Sequence, residues 1–109
     1  MYITRQISSA QWRGNTSRVL VKAFATFRDL LGRGRIHVEL SENSSILDLI
    51  LKLDEMLNKG LANRLLRDRK LDPNVMILLN GREIKHLNGL NTKLKDGDVV
   101  AFIPPIAGG

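Results

Sequence analysis

A chain of 109 residues, 43% of them hydrophobic, is long enough for one domain around one modest core. It has no cysteine, which excludes disulfides, thiolate-held metal and a cysteine nucleophile and fits a cytoplasmic protein; no apolar run approaches the roughly 20 residues that cross a bilayer. The net charge of +6 raises the question of nucleic acid. Acids alternate with the bases, however, as in Arg67-Asp68-Arg69-Lys70, and no aromatic residues interleave with them for base stacking, so neither nucleic acid nor a membrane is the expected partner.

Residues 1–17 read as an N-terminal arm without regular structure. Arg5 and Arg13 stand there without an acid, apolar periodicity is weak, and the continuous apolar stretch of a secretory signal is missing. Tyr2, Ile3, Ile7 and Trp12 leave the arm able to dock on a partner or on the body. The domain is expected over 18–109. Arg18 to Phe24 alternates as a strand, with Val19, Val21 and Ala23 on one face and Leu20, Lys22 and Phe24 on the other. Thr26 to Leu31 has helical spacing in Phe27, Leu30 and Leu31, with Gly32 suited to a left-handed cap. A second strand follows over Arg35 to Leu40, with Ile36, Val38 and Leu40 inward. Ser45 to Asn58 is the main helix: Ser45 is placed to cap it, Asp48 to complete a capping box, and Ile46, Leu49, Ile50, Leu53 and Leu57 form its buried stripe, with Gly60 as its stop.

Leu61 to Leu71 reads as a further short helical turn before Pro73. Val75 to Leu79 is a buried strand, Asn80-Gly81 a hairpin turn, and Arg82 to Ile84 the return. Leu90 to Leu94 gives a single turn under the sheet, and Asp96-Gly97 turns the chain into the last strand, Val99 to Ile103. That strand is apolar throughout, which predicts burial on both faces and a central position parallel to the first strand. The expected class is α+β, a β-grasp (ubiquitin-like) architecture with a mixed four- to five-stranded sheet and one main helix.

Chemistry is sparse. His37 is expected on an outward strand position and His86 in a loop, each alone; Asp54-Glu55 and Asp96/Asp98 read as helix surface and turn chemistry; no metal-binding set and no catalytic residue of the chain's own stand out. The C-terminus differs. Pro104-Pro105 cannot extend a central strand and projects the chain as a stiff arm. Ile106 and Ala107 follow, and Gly108 and Gly109 leave a tip without side chains. Six residues from Pro104 reach about 20 Å extended, enough to carry a carboxylate into a narrow site on another protein. A carboxylate is a poor electrophile until it is adenylated by ATP, and two glycines keep the chain narrow inside an activating enzyme.

The segments Phe24-Ala25-Thr26-Phe27-Arg28-Asp29-Leu30-Leu31-Gly32 and Leu94-Lys95-Asp96-Gly97-Asp98-Val99-Val100-Ala101-Phe102-Ile103-Pro104-Pro105-Ile106-Ala107-Gly108-Gly109 resemble the first helix and the C-terminal signature of the molybdopterin synthase small subunit, a ubiquitin-like sulfur carrier. The resemblance spans about 18–109. It implies activation of Gly109 by an adenylyltransferase of the ubiquitin-activating type, with ATP used by that enzyme and no cofactor bound to the carrier. It further implies conversion of Gly109 to a thiocarboxylate and insertion of the tail into the large synthase subunit, where sulfur builds the dithiolene of molybdopterin. Two related readings stay open: a protein modifier joined through Gly109 to substrate lysines, and a thiazole sulfur carrier, whose members are shorter and lack the Phe24–Gly32 helix. Strand parity places Phe24, Met76, Leu78, Ala101 and Ile103 on the face away from the helix, and the resemblance makes Phe24, Met76, Leu78 and Ile103 its partner-binding residues.

Overall fold

The computed structural model describes residues 16–105. Strict alternation makes the first antiparallel pair. In β1 (Thr16–Ala23) and β2 (Arg35–Ser41), Ser17, Val19 and Val21 face Leu40, Val38 and Ile36 across the ladder, and all six are buried. The strand starts two residues earlier than expected, so Thr16 and Ser17 belong to the sheet rather than to the arm; residues 1–15 lie outside the described residues. Between the strands lies α1 (Ala25–Leu31), which buries Phe27 and Leu31. Gly32 closes it at φ 79°, where its N–H donates to the carbonyl of Arg28.

Helix α2 (Ile46–Leu57) carries the capping box legible in the sequence. The Asp48 N–H donates to the Ser45 hydroxyl at 3.2 Å, and the Ser45 N–H donates to the Asp48 carboxylate at 2.9 Å. Ile46, Leu49, Ile50 and Leu53 are fully buried against the sheet. The left-handed residue that ends α2 is Asn58 (φ 52°), not Gly60. Asparagine tolerates this conformation, and Gly60 instead leads into α3 (Leu61–Leu65).

The single turn expected through Leu71 stops at Leu65. Residues 66–71 instead form a small hairpin, β3 (Leu66–Arg67) and β4 (Lys70–Leu71), turning through Asp68 and Arg69, both at positive φ. Without a glycine or asparagine at the turn, the hairpin gives no local signal. Asp72 holds its base: it accepts from the Asn74 N–H and from Arg67 Nε, each at 2.9 Å. The Asn74 bond is the main cause of a carboxyl pKa below the ordinary aspartate value. Desolvation works the other way, and Arg67 reinforces the lowering by its hydrogen bond and charge.

Strand β5 (Met76–Leu79) turns at Asn80-Gly81 into β6 (Arg82–Glu83), short 3-10 turns follow at Ile84–His86 and Gly89–Asn91, and β7 (Val99–Ile103) closes the fold. The five-stranded order is β2-β1-β7-β5-β6, with β1 and β7 parallel and the other pairs antiparallel. This is the β-grasp topology. β7 is central as expected, but burial on both of its faces is not what is found. Val100 and Phe102 are fully buried under the helices, whereas Val99, Ala101 and Ile103 on the opposite face are only half-buried. Among the described residues no element covers that second face, because their helices pack on the first. Among the described residues no helix is long and apolar enough to cross a membrane.

Candidate functional site

β7 aims whatever follows it, and both of its ends are anchored. At its start, Asp96-Gly97-Asp98 is tied to β1 and to the turn between β5 and β6. The Arg18 N–H donates to the Asp96 carboxylate at 2.7 Å, the Gly97 N–H to the Arg18 carbonyl at 2.9 Å, and the Leu20 N–H to the Asp98 carbonyl at 2.9 Å. The Asp98 side chain accepts from the Lys95 N–H at 2.8 Å and from the Asn80 amide at 2.9 Å, while Asn80 Oδ1 accepts from the Val99 N–H at 2.9 Å. The acid pair Asp96/Asp98 is therefore turn chemistry, as its spacing predicts. At the far end the Phe24 N–H donates to the Phe102 carbonyl at 3.2 Å, and Phe102 sits edge-on to Phe27 with ring centres 6.5 Å apart. Ile103, opposite Met76, is the last paired residue. Pro104 is half-buried at the rim and Pro105 is exposed, where the missing proline N–H groups end the ladder. Ile106, Ala107, Gly108 and Gly109, the tail and reactive terminus expected from the sequence, lie outside the described residues.

Beside this exit lies the uncovered sheet face. Phe24 and Met76 are 46% and 40% exposed, and Leu78, Ala101 and Ile103 are half-buried among them. Phe24 stands out because the chain breaks sharply after it: Phe24 is extended (φ −118°) and Ala25 takes φ +49° to start α1. The register brings together the four residues expected at a partner surface and extends the face through Leu20 and Lys22. Leu20 pairs with Val99, both half-buried, and extends the apolar strip toward the start of β7. Lys22 lies beside Ala101, with Arg35 beyond it on β2 and His37 opposite Leu20, so the β1–β2 side of the strip is basic. Glu83, opposite Leu78, marks the other side. The sequence had put Leu20 and Lys22 on this face, but only the parallel β1–β7 register sets them against Val99 and Ala101.

The histidines stay apart. His37 is exposed on β2, and His86 ends a 3-10 turn rather than lying in an open loop, 3.9 Å from the Glu83 carboxylate. Among the described residues no group of three or more His, Asp or Glu side chains is placed to hold a metal. The face offers apolar area and charge for recognition, and the strand beside it leads into Pro104-Pro105.

A profile of the ThiS family matches residues 21–109. Small archaeal modifier protein 3 of Haloferax volcanii is 40% identical over 89 residues, 82% of this chain and 96% of that protein. A protein of Archaeoglobus fulgidus provisionally named a sulfur carrier is 33% identical over 79 residues, 72% of this chain and 89% of its own length. Among solved structures, a Pyrococcus furiosus protein provisionally named molybdopterin converting factor subunit 1 superposes with a TM-score of 0.66 at 34% identity, covering 83% of this chain and 99% of that one.

Proposed function

This chain belongs to the ThiS family, ubiquitin-like carriers and modifiers, and from that premise we propose that it is a sulfur carrier working through the Gly109 carboxylate. ATP on an activating enzyme converts the carboxylate to an acyl-adenylate with release of pyrophosphate. A sulfide sulfur attacks the acyl carbon, AMP leaves with the C–O bond, and the new C–S bond makes Gly109 a thiocarboxylate. The destination of that sulfur is the dithiolene of molybdopterin, with this chain as the small subunit beside a large synthase subunit. Similarity to the Pyrococcus furiosus protein supports that destination.

The observation that carries the reading is the placement of β7. Strands on both sides and Phe102 beneath hold it, its last pair is Ile103–Met76, and Pro104-Pro105 stop the ladder where the apolar face ends. A partner that grips Phe24, Met76, Leu78 and Ile103 receives the tail in a set direction. The Pro-Pro pair lowers the conformational entropy lost on insertion. Incubation of the chain with ATP, a sulfur donor and its activating enzyme is expected to raise its mass by the difference between one sulfur and one oxygen, localised to the C-terminal peptide. The same gain in a chain lacking Gly109 would overturn the assignment.

A second reading is favoured by the 40% identity to a protein named a modifier. The same adenylate, attacked by a lysine amine instead of sulfide, would leave Gly109 in an isopeptide bond. Lysine peptides branched with the chain's own C-terminal segment, which after tryptic digestion is Asp96 to Gly109 because Lys95 is the last basic residue, and lost when Gly109 is deleted, are its expected product; their absence from cells that make the chain would leave sulfur transfer alone.

A further inference from the structure

Four large hydrophobic side chains stand well out among the described residues. Phe24 and Met76 belong to the open sheet face. Leu51 and Met56, 49% and 48% exposed, do not: they lie on the outer side of α2. There, α2, the end of β2 and the loop between them enclose an open groove of about 1030 Å³. The groove is acidic, with Glu39, Glu42, Asp48 and Glu55 against one base, Lys52. It also borders β2, an edge strand of the sheet, and edge strands leave a row of backbone groups for another segment to cover.

The groove lies at the pole away from the tail. β1 and β7 run parallel, so β1 begins at the end opposite the one where β7 finishes. Thr16, the first residue of β1, forms part of the groove wall. The chain preceding it has the complementary composition: residues 1–15 carry Arg5 and Arg13, no acid, and the apolar residues Tyr2, Ile3, Ile7 and Trp12. Trp12 is four residues from Thr16. Four extended residues span about 13 Å, against about 18 Å for the whole twelve-residue α2. Trp12 and Arg13 are therefore within chain reach of the groove wall at Thr16, and so short a tether corresponds to an effective concentration in the millimolar range or above.

We propose that residues 1–15 fold back into this groove of their own molecule, with Trp12 against Leu51 and Met56 and with Arg5 and Arg13 facing the carboxylates of Glu39, Glu42 and Glu55. Exposed ion pairs contribute little singly, so the indole supplies most of the burial and the arginines set the register. The segment then covers the second apolar patch and leaves the open face and the tail free at the other pole. The proposal does not depend on what Gly109 does.

The chain contains a single tryptophan, so the fluorescence of the full-length protein reports on Trp12 directly. Its emission is expected to be blue-shifted, and its quenching by acrylamide slower, than in a peptide of residues 1–15 in the same buffer, both independent of protein concentration. Nuclear Overhauser contacts from the indole to the methyls of Leu51 and Met56 give a second readout that needs no variant. Glu42 and Glu55 are exposed, so Glu42→Lys with Glu55→Lys leaves the core intact. It is expected to shift the docking equilibrium toward release by about two- to fivefold per lost ion pair, and adding Arg5→Glu and Arg13→Glu to that chain restores protection. Tryptophan emission and quenching equal to the peptide's would overturn the proposal, as would protection untouched by the groove reversal. Protection that rises with protein concentration would overturn it in favour of a second copy in the groove.

Discussion

Replacing Phe102 by alanine separates holding the tail from being the tail. The ring is fully buried beneath the centre of the sheet and meets Phe27 edge-on at 6.5 Å. Truncation of such a phenylalanine costs about 3–5 kcal/mol, since the cavity left by the ring adds to the lost transfer energy. The T-shaped partner accounts for about 1 kcal/mol of that. A domain of this size has about 5–15 kcal/mol in all, so the variant retains a folded majority but little reserve. With a urea slope near 1.5–2 kcal/mol/M, the midpoint is expected to fall by about 2 M at constant slope. Deletion of Gly109, beyond the last strand pair, is expected to leave the midpoint where it was and to abolish activation by ATP. The assay is urea denaturation followed by far-ultraviolet circular dichroism on both variants, with acyl-adenylate formation measured below the transition. A midpoint shift under about 0.5 M for Phe102→Ala, or a comparable shift for the Gly109 deletion, would refute the account of β7 as a strand fastened by its inner face.

On the open face, Leu78→Asp with Ile103→Asp alters half-buried positions. It is expected to weaken binding to an activating or synthase partner by about 2 kcal/mol or more, roughly thirtyfold, if these are central contacts; titration calorimetry with the partner would check it, and unchanged affinity would move the interface elsewhere. Ser45→Ala removes one half of the α2 capping box and is expected to cost about 1 kcal/mol, read as a fall in Tm of about 4–8 °C. Asp72 has a folded-state pKa below its ordinary value, so its contribution to stability is present above the unfolded pKa of about 3.9 and is lost as pH falls through the lower, folded value. The stability gap between the protein and Asp72→Asn is therefore expected to be widest near neutral pH and to narrow on acidification. A gap constant from neutral pH into the acid range, measured by urea titration, would rule out the carboxylate as its source.

Much of this architecture is local and so was legible residue by residue. Ser45 and Asp48 make the box their spacing predicts, Asn80-Gly81 turns the hairpin, and the alternation in 35–40 makes a strand with one wet face. These signals depend on neighbours three or four positions away at most. The misreadings share a cause. In each, the left-handed residue is not the glycine that local propensity favours: the 66–71 hairpin turns through Asp68 and Arg69, both at positive φ, over a base where Asp72 accepts from Arg67 and Asn74. Gly60 had the better propensity for ending α2, yet Asn58 does so.

The sequence alone determined the residue types available: no cysteine, histidines far apart in the chain, and a Gly-Gly pair behind two prolines. Composition and covalent order need no fold to be read. Tertiary structure decided what surrounds that end. An apolar strand such as β7 is compatible with burial on both faces or on one; only the placement of α1, α2 and α3 on a single side left Val99, Ala101 and Ile103 half-open beside Leu20, Leu78 and Met76. The parallel register of β1 with β7, a contact between residues about 79 positions apart, also put the start of β1 and the end of β7 at opposite poles. The tail therefore leaves beside the open face, while Thr16 begins beside an acidic groove. Contacts of that separation are settled by packing, and no local pattern encodes them.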